Sequence, residues 1–98
     1  MQSRLKLRKH VHERCFQRGI SKKEIRHVLE TGDVIREYPD DAPLPSYLVL
    51  GWVETETGER PIHVVAADDE REDVTYAITV YEPDPDLWTD DFREKQSE

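Results

Sequence analysis

With a single cysteine, Cys15, the chain has no partner for an intrachain disulfide and no Cys-x-x-Cys pair for zinc or thioredoxin-type redox chemistry. Its four glycines form no phosphate-cradling loop. A Gly-x-Ser-x-Gly elbow and the paired basic-aromatic stripe of an RNA-recognition sheet are also missing. Nucleotide-cofactor enzymes and serine hydrolases therefore lack support, and no cofactor is expected. No apolar run approaches the roughly 18 residues of a membrane span, and Met1 to His10 lacks the apolar core of a signal peptide, so a cytoplasmic location is expected. At 98 residues the chain fits one domain, expected over residues 1–93, with 94–98 as a frayed tail.

What is abundant is charge, 37% of residues, with a net −8 that argues against nucleic-acid binding as an average. The average conceals a split. Residues 1–26 hold nine basic residues against Glu13 and Glu24, a net +7. Residues 27–98 hold five against twenty acids, a net −15. A polyanion can dock on the first segment while the rest repels it; the alternative is a solvated basic helix balancing an acidic body.

Leu7, Val11 and Cys15 recur every four residues and predict a helix over Arg8 to Arg18, stopped by Gly19. Ser21 with Glu24 forms a capping box for a second helix, whose apolar positions Ile25, Val28 and Leu29 precede Gly32. Asp33 to Tyr38 reads as a short strand, and three prolines between Pro39 and Pro45 make the next stretch a loop. Ser46 to Val53 and Pro61 to Ala67 read as a hairpin, and Val74 to Tyr81 alternates as a final strand. Pro83 and Pro85 end the sheet, after which Leu87, Trp88 and Phe92 are expected to pack a short helical turn back on it. The order predicts an α+β fold: two N-terminal helices packed on a four-stranded antiparallel β-sheet, with a short C-terminal helical turn. Val34, Leu48, Leu50, Ile62, Val64, Ile78 and Val80 are the candidate core.

His10, Arg14 and Arg18, spaced four and four, drift only about 80° around a helix and form one ladder beside the apolar stripe. Two guanidinium forks and one imidazole suit a phosphodiester: Arg grips non-bridging oxygens and His gives or takes a proton. The bland reading is a solvated helix edge with Arg14 paired to an acid. His63, in the strand opposite Ile62 and Val64, is either a hydrogen-bonded core residue or a catalytic partner. Thr79 and Tyr81 share a strand face, where the phenol either orients a phosphate or caps the core. His10 and His12 point about 200° apart on a helix and cannot chelate one ion. Asp84, Asp86, Asp90 and Asp91 lack the glycine and terminal glutamate of a calcium loop, so no metal site is expected and the four read as a solvated tail.

The string His10-Val-His-Glu-Arg14-Cys-Phe-Gln-Arg18-Gly-Ile-Ser21 is followed by Gly32-Asp-Val-Ile, Pro61-Ile-His63-Val-Val and Ile78-Thr79-Val-Tyr81-Glu-Pro83-Asp-Pro. Together they strongly resemble the small prokaryotic family catalogued as domain of unknown function 4258, over residues 10–93. The resemblance implies a fold similar to RelE-type toxins and the wider barnase, colicin and RelE group of ribonucleases. It also implies a toxin of a type II toxin-antitoxin pair, whose partner is a small zinc-finger or helix-turn-helix antitoxin. The family's polar pattern falls on His10, Arg14, Arg18, His63, Thr79 and Tyr81.

The expected activity is metal-independent endoribonuclease chemistry, in which a ribose 2′-hydroxyl attacks the adjacent phosphorus and leaves a 2′,3′-cyclic phosphate. His10 is then base or acid, with His63 or Tyr81 its partner, while Arg14, Arg18 and Thr79 bind phosphate. The competing reading is a noncatalytic protein-binding module of the same fold, using its sheet edge and acidic surface. Convergence of His10, Arg14, Arg18 and Tyr81 on one open groove distinguishes the two.

Overall fold

The computed structural model describes residues 3–96. Along the chain stand β1 (Arg4–Leu7), α1 (Lys9–Arg18), α2 (Lys22–Thr31), β2 (Asp33–Tyr38), β3 (Ser46–Thr55), β4 (Gly58–Asp69) and β5 (Val74–Tyr81). The strands form one five-stranded sheet in the order β1-β5-β4-β3-β2. Strands β2 to β5 make the expected antiparallel meander. The fold is nevertheless not two helices on a four-stranded antiparallel sheet: β1 precedes the helices and pairs in parallel with β5, Leu5 opposite Thr75 and Leu7 opposite Ala77, giving a mixed sheet. The chain leaves β1, passes through both helices to the far edge and returns strand by strand. Four alternating strands later it runs in the direction in which it began.

Strand β1 is hidden in the sequence because Leu7 also fits the four-residue stripe of Val11 and Cys15. In the structure Leu5 and Leu7 alternate with Lys6 and Arg8, and Leu5 is buried. Helix α1 therefore starts at Lys9 and ends at Gly19, whose φ of 66° is left-handed. Helix α2 carries the expected capping box: Ser21 Oγ accepts from the Glu24 amide, and Glu24 Oε1 accepts from the Ser21 amide.

Both helices cover one face of the sheet. Val11, Cys15, Ile25 and Val28 pack there on Leu5, Val49, Val53, Ile62, Val64, Ala66, Ala77 and Val80. Gly51 lets α2 come close, since a Cβ there would lie 2.7 Å from a Val28 methyl. Of the candidate core, Val34 is exposed, because β2 is an edge strand irregular between Val34 and Arg36. Ile78 is half-buried, because the ladder between β4 and β5 shifts register at that position.

The opposite face carries Leu48, Leu50 and His63, and the C-terminal segment after β5 returns over it. That segment makes one helical-type turn, closed at Leu87 and Trp88, and beyond it is a bridged loop and not a helix. Trp88 and Lys95 form an antiparallel bridge, and backbone bonds join Thr89 to Glu94 and Gln96 to Leu87. Two prolines at the start of the segment withhold amide donors, and the Asp84 carbonyl takes the Leu87 and Trp88 amides in a single turn. The expected frayed tail falls in part on residues 97 and 98, outside the described residues; Glu94 to Gln96 are held by the bonds just named.

Candidate functional site

Burial of Val11 and Cys15 turns the rest of α1 outward, so His10, Arg14 and Arg18 are all exposed along one flank. Among the described residues the ion pairs are Arg60–Glu82 and Arg93–Asp33, so the ladder is not paired to an acid. The C-terminal end of α1 is fixed by its backbone: the Arg18 carbonyl accepts from Arg60 Nη2 at 3.0 Å, while Arg60 Nε bonds Glu82 at 2.8 Å. The Arg18 side chain remains available, at the helix end where a cation is favoured. Phe16 is 92% exposed, but it lies about 200° around the helix from Arg14 and does not belong to the ladder.

His63 stands on the other side of the sheet and is fully buried. Its Nε2 is 2.9 Å from the Phe92 carbonyl oxygen, which can only accept, so the proton is on Nε2. Nδ1 then accepts from the Tyr81 hydroxyl at 3.1 Å. The Trp88 ring closes over the imidazole edge to face, with centroids 4.4 Å apart. Burial holds the His63 pKa below its ordinary value, partly offset by the Phe92 carbonyl. Burial likewise raises Tyr81, as does nearby Tyr38, while Arg36 works against them.

Five of the six expected site residues thus fall into two groups. His10, Arg14 and Arg18 lie on the helical layer, whereas His63 and Tyr81 lie on the opposite sheet face. Thr79 is half-buried and in register with Val65, beside the irregular step of the ladder. No hydrogen bond or ion pair among the described residues joins the two groups, and the expected common groove of ladder and Tyr81 does not form. What His63 and Tyr81 meet instead is Trp88, Phe92, Arg36 and Tyr38. The sequence signal for this was the apolar Trp88 and Phe92 beyond Pro85, although not which residue they would cover.

A further polar chain was missed by sequence reasoning. Asp68 Oδ1 accepts from the Tyr47 hydroxyl at 2.9 Å and from Thr75 Oγ1 at 2.7 Å, and Thr75 Oγ1 is 2.6 Å from Ser3 Oγ. Burial and the Asp68 carboxylate raise the Tyr47 pKa. Nothing short of the folded register between β4 and β5 announces that contact. Among the described residues no three His, Cys, Asp or Glu side chains are grouped to hold a metal ion. The acids of the C-terminal segment cap turns: Asp84 accepts from the Asp86 amide, and Asp91 from the Thr89 hydroxyl and the Arg93 amide. Those bonds hold the Asp91 carboxyl below its usual range.

Residues 7–82 match the family described as Domain of unknown function (DUF4258), and the chain belongs to that family. No curated protein and no solved structure matches the chain.

Proposed function

We propose that this family member is a RelE-related toxin of a prokaryotic toxin-antitoxin pair that engages RNA through α1 and cleaves it without a metal ion. The single observation that supports this reading is the ladder of His10, Arg14 and Arg18, exposed and without carboxylate partners among the described residues, in the basic N-terminal segment of an otherwise acidic chain. The Arg14 and Arg18 guanidinium groups grip successive non-bridging oxygens and stabilise the charge of the phosphorane. His10 takes the 2′-hydroxyl proton as that oxygen bonds to phosphorus. The bond to the 5′-oxygen breaks, that oxygen leaves with a proton from water, and a 2′,3′-cyclic phosphate remains.

Catalysis in this reading rests on His10 and not on His63, whose two ring nitrogens are already engaged in the interior. The separation of the ladder from Tyr81 across the sheet favours a second reading, a noncatalytic protein-binding module of the same fold that uses its sheet edge and acidic surface. Cleavage of RNA by purified, antitoxin-free protein in the presence of a chelator separates the two. The expected outcome is cleavage lost in His10→Ala and lowered about 10- to 1000-fold in Arg14→Ala or Arg18→Ala, the range for losing one preorganised charge contact. Equal cleavage by parent and all three variants overturns the nuclease reading.

A further inference from the structure

Residues 83–96 form a strap that lies beyond the matched family region and covers the sheet face opposite the helices. It is pinned at few points. Trp88, 4% exposed, seats over His63. The Phe92 ring meets Trp52 edge to face with centroids 5.9 Å apart, and Arg93 pairs with Asp33 on β2. The Phe92 carbonyl takes the His63 Nε2 proton. Phe92 reaches that bond with a φ of 60°, a left-handed conformation that a bulky residue adopts only under constraint. Release of the strap relaxes that strain.

We propose that the strap is a cover opened by acid, with His63 as the latch: the strap seats on the neutral imidazole and lifts when that ring takes a second proton. The surroundings of His63 carry the argument. From β3 the residue opposite is Leu50, which has no charge. From β5 it meets the Tyr81 hydroxyl, and from the strap the Trp88 ring and the Phe92 carbonyl. Two cations, Arg36 of β2 and Lys95 of the strap, lie over the Trp88 ring, 5.9 and 6.0 Å from its centroid. Of the strap's exposed acids Asp90, Asp91 and Glu94, Asp91 is engaged by Thr89 and Arg93, and among the described residues none of the three bonds His63. Tyr38 of β2 adds a neutral phenol near Tyr81. Asp33 of β2 is already paired with Arg93 of the strap. A second proton therefore places an uncompensated charge in the interior, beside cations and with Nδ1 no longer able to accept from Tyr81.

The sign follows from linkage. Burial lowers the His63 pKa in the closed state, so the open state binds more protons. Closure is at full strength above the ordinary histidine value of 6.5 and is lost as pH falls below it towards the closed-state pKa. The opening constant therefore rises as pH falls from about 7.5 to about 5.5, by at most about tenfold, the limit for one proton taken up only in the open state.

The test is heteronuclear NMR on the full chain across that range, following the His63 ring, the strap amides of Trp88 and Phe92, and the helix-side core methyls of Val28 and Val64. The expected result is a strap transition whose midpoint coincides with His63 ring titration while the core methyls stay folded. His63→Gln, whose amide can still donate to the Phe92 carbonyl, is expected to flatten the strap transition. Should that variant not fold, the parent titration alone decides. A strap that does not move, that moves at a midpoint different from that of His63, or that moves identically in a folded His63→Gln variant overturns the proposal.

Discussion

A buried histidine is a commitment of two nitrogens, and at His63 both are spent inside the molecule. The sequence left His63 open between a hydrogen-bonded interior residue and a catalytic partner. Alternation in the strand placed it opposite Ile62 and Val64, but no local pattern says what returns to cover that face. The ladder was legible for the opposite reason: spacing within one helix fixes a flank without any tertiary information. Gly51 shows the same limit, since nothing in Leu50-Gly-Trp52 announces a helix resting on it. Gly51→Ala places a methyl 2.7 Å from a Val28 side-chain carbon, too close for ordinary contact. The substitution is expected to cost about 1–3 kcal/mol as overpacking, seen as a lower urea midpoint with an unchanged slope.

Among the elements, α2 and the meander of β2 to β5 were legible because their signals are local: a capping box, turn residues, and strict alternation in Val74 to Tyr81. Strand β1 was not, because four residues carry only two apolar positions and a parallel pairing contributes no turn signal. Its worth rests on Leu5, which enters the same core as Val11 and Ala77. Leu5→Ala is expected to cost about 2–4 kcal/mol, within the range for emptying a buried leucine site, while Ser21→Ala, which removes only the α2 cap, costs about 1 kcal/mol. Chemical denaturation of the two variants checks the order. A Leu5→Ala variant no weaker than Ser21→Ala would mean that β1 is a dispensable edge.

At the scale of the molecule, the charge split of the sequence is kept in part: six of the nine basic residues lie on the two helices, whereas Arg4 of β1 adjoins the acidic β4–β5 turn, its guanidinium donating to the Glu72 carbonyl. The nine basic residues of the first 26 lie on β1, α1, α2 and their connections, and all but the half-buried Arg26 are exposed. Many of the acids gather in the β4–β5 turn and the C-terminal strap, at Asp69, Glu70, Glu72, Asp84, Asp86 and Asp91. If RNA is the partner, as proposed, a strand approaching the helices is attracted there and repelled by the acidic surfaces, so that the charge distribution orients it before contact. Binding should accordingly weaken as salt rises, because each phosphate neutralised releases condensed counterions. On single-stranded RNA each such contact contributes about 0.7 to the slope of log affinity against log salt. If Arg14 and Arg18 each hold one phosphate, the double variant Arg14→Ala/Arg18→Ala should flatten that slope by about 1.4, whereas Arg71→Ala, in the acidic β4–β5 turn, should leave it unchanged. Fluorescence anisotropy of a labelled RNA at several salt concentrations measures both. A slope reduced equally by Arg71→Ala would remove α1 from the interface, because the loss would then follow net charge and not the ladder's position.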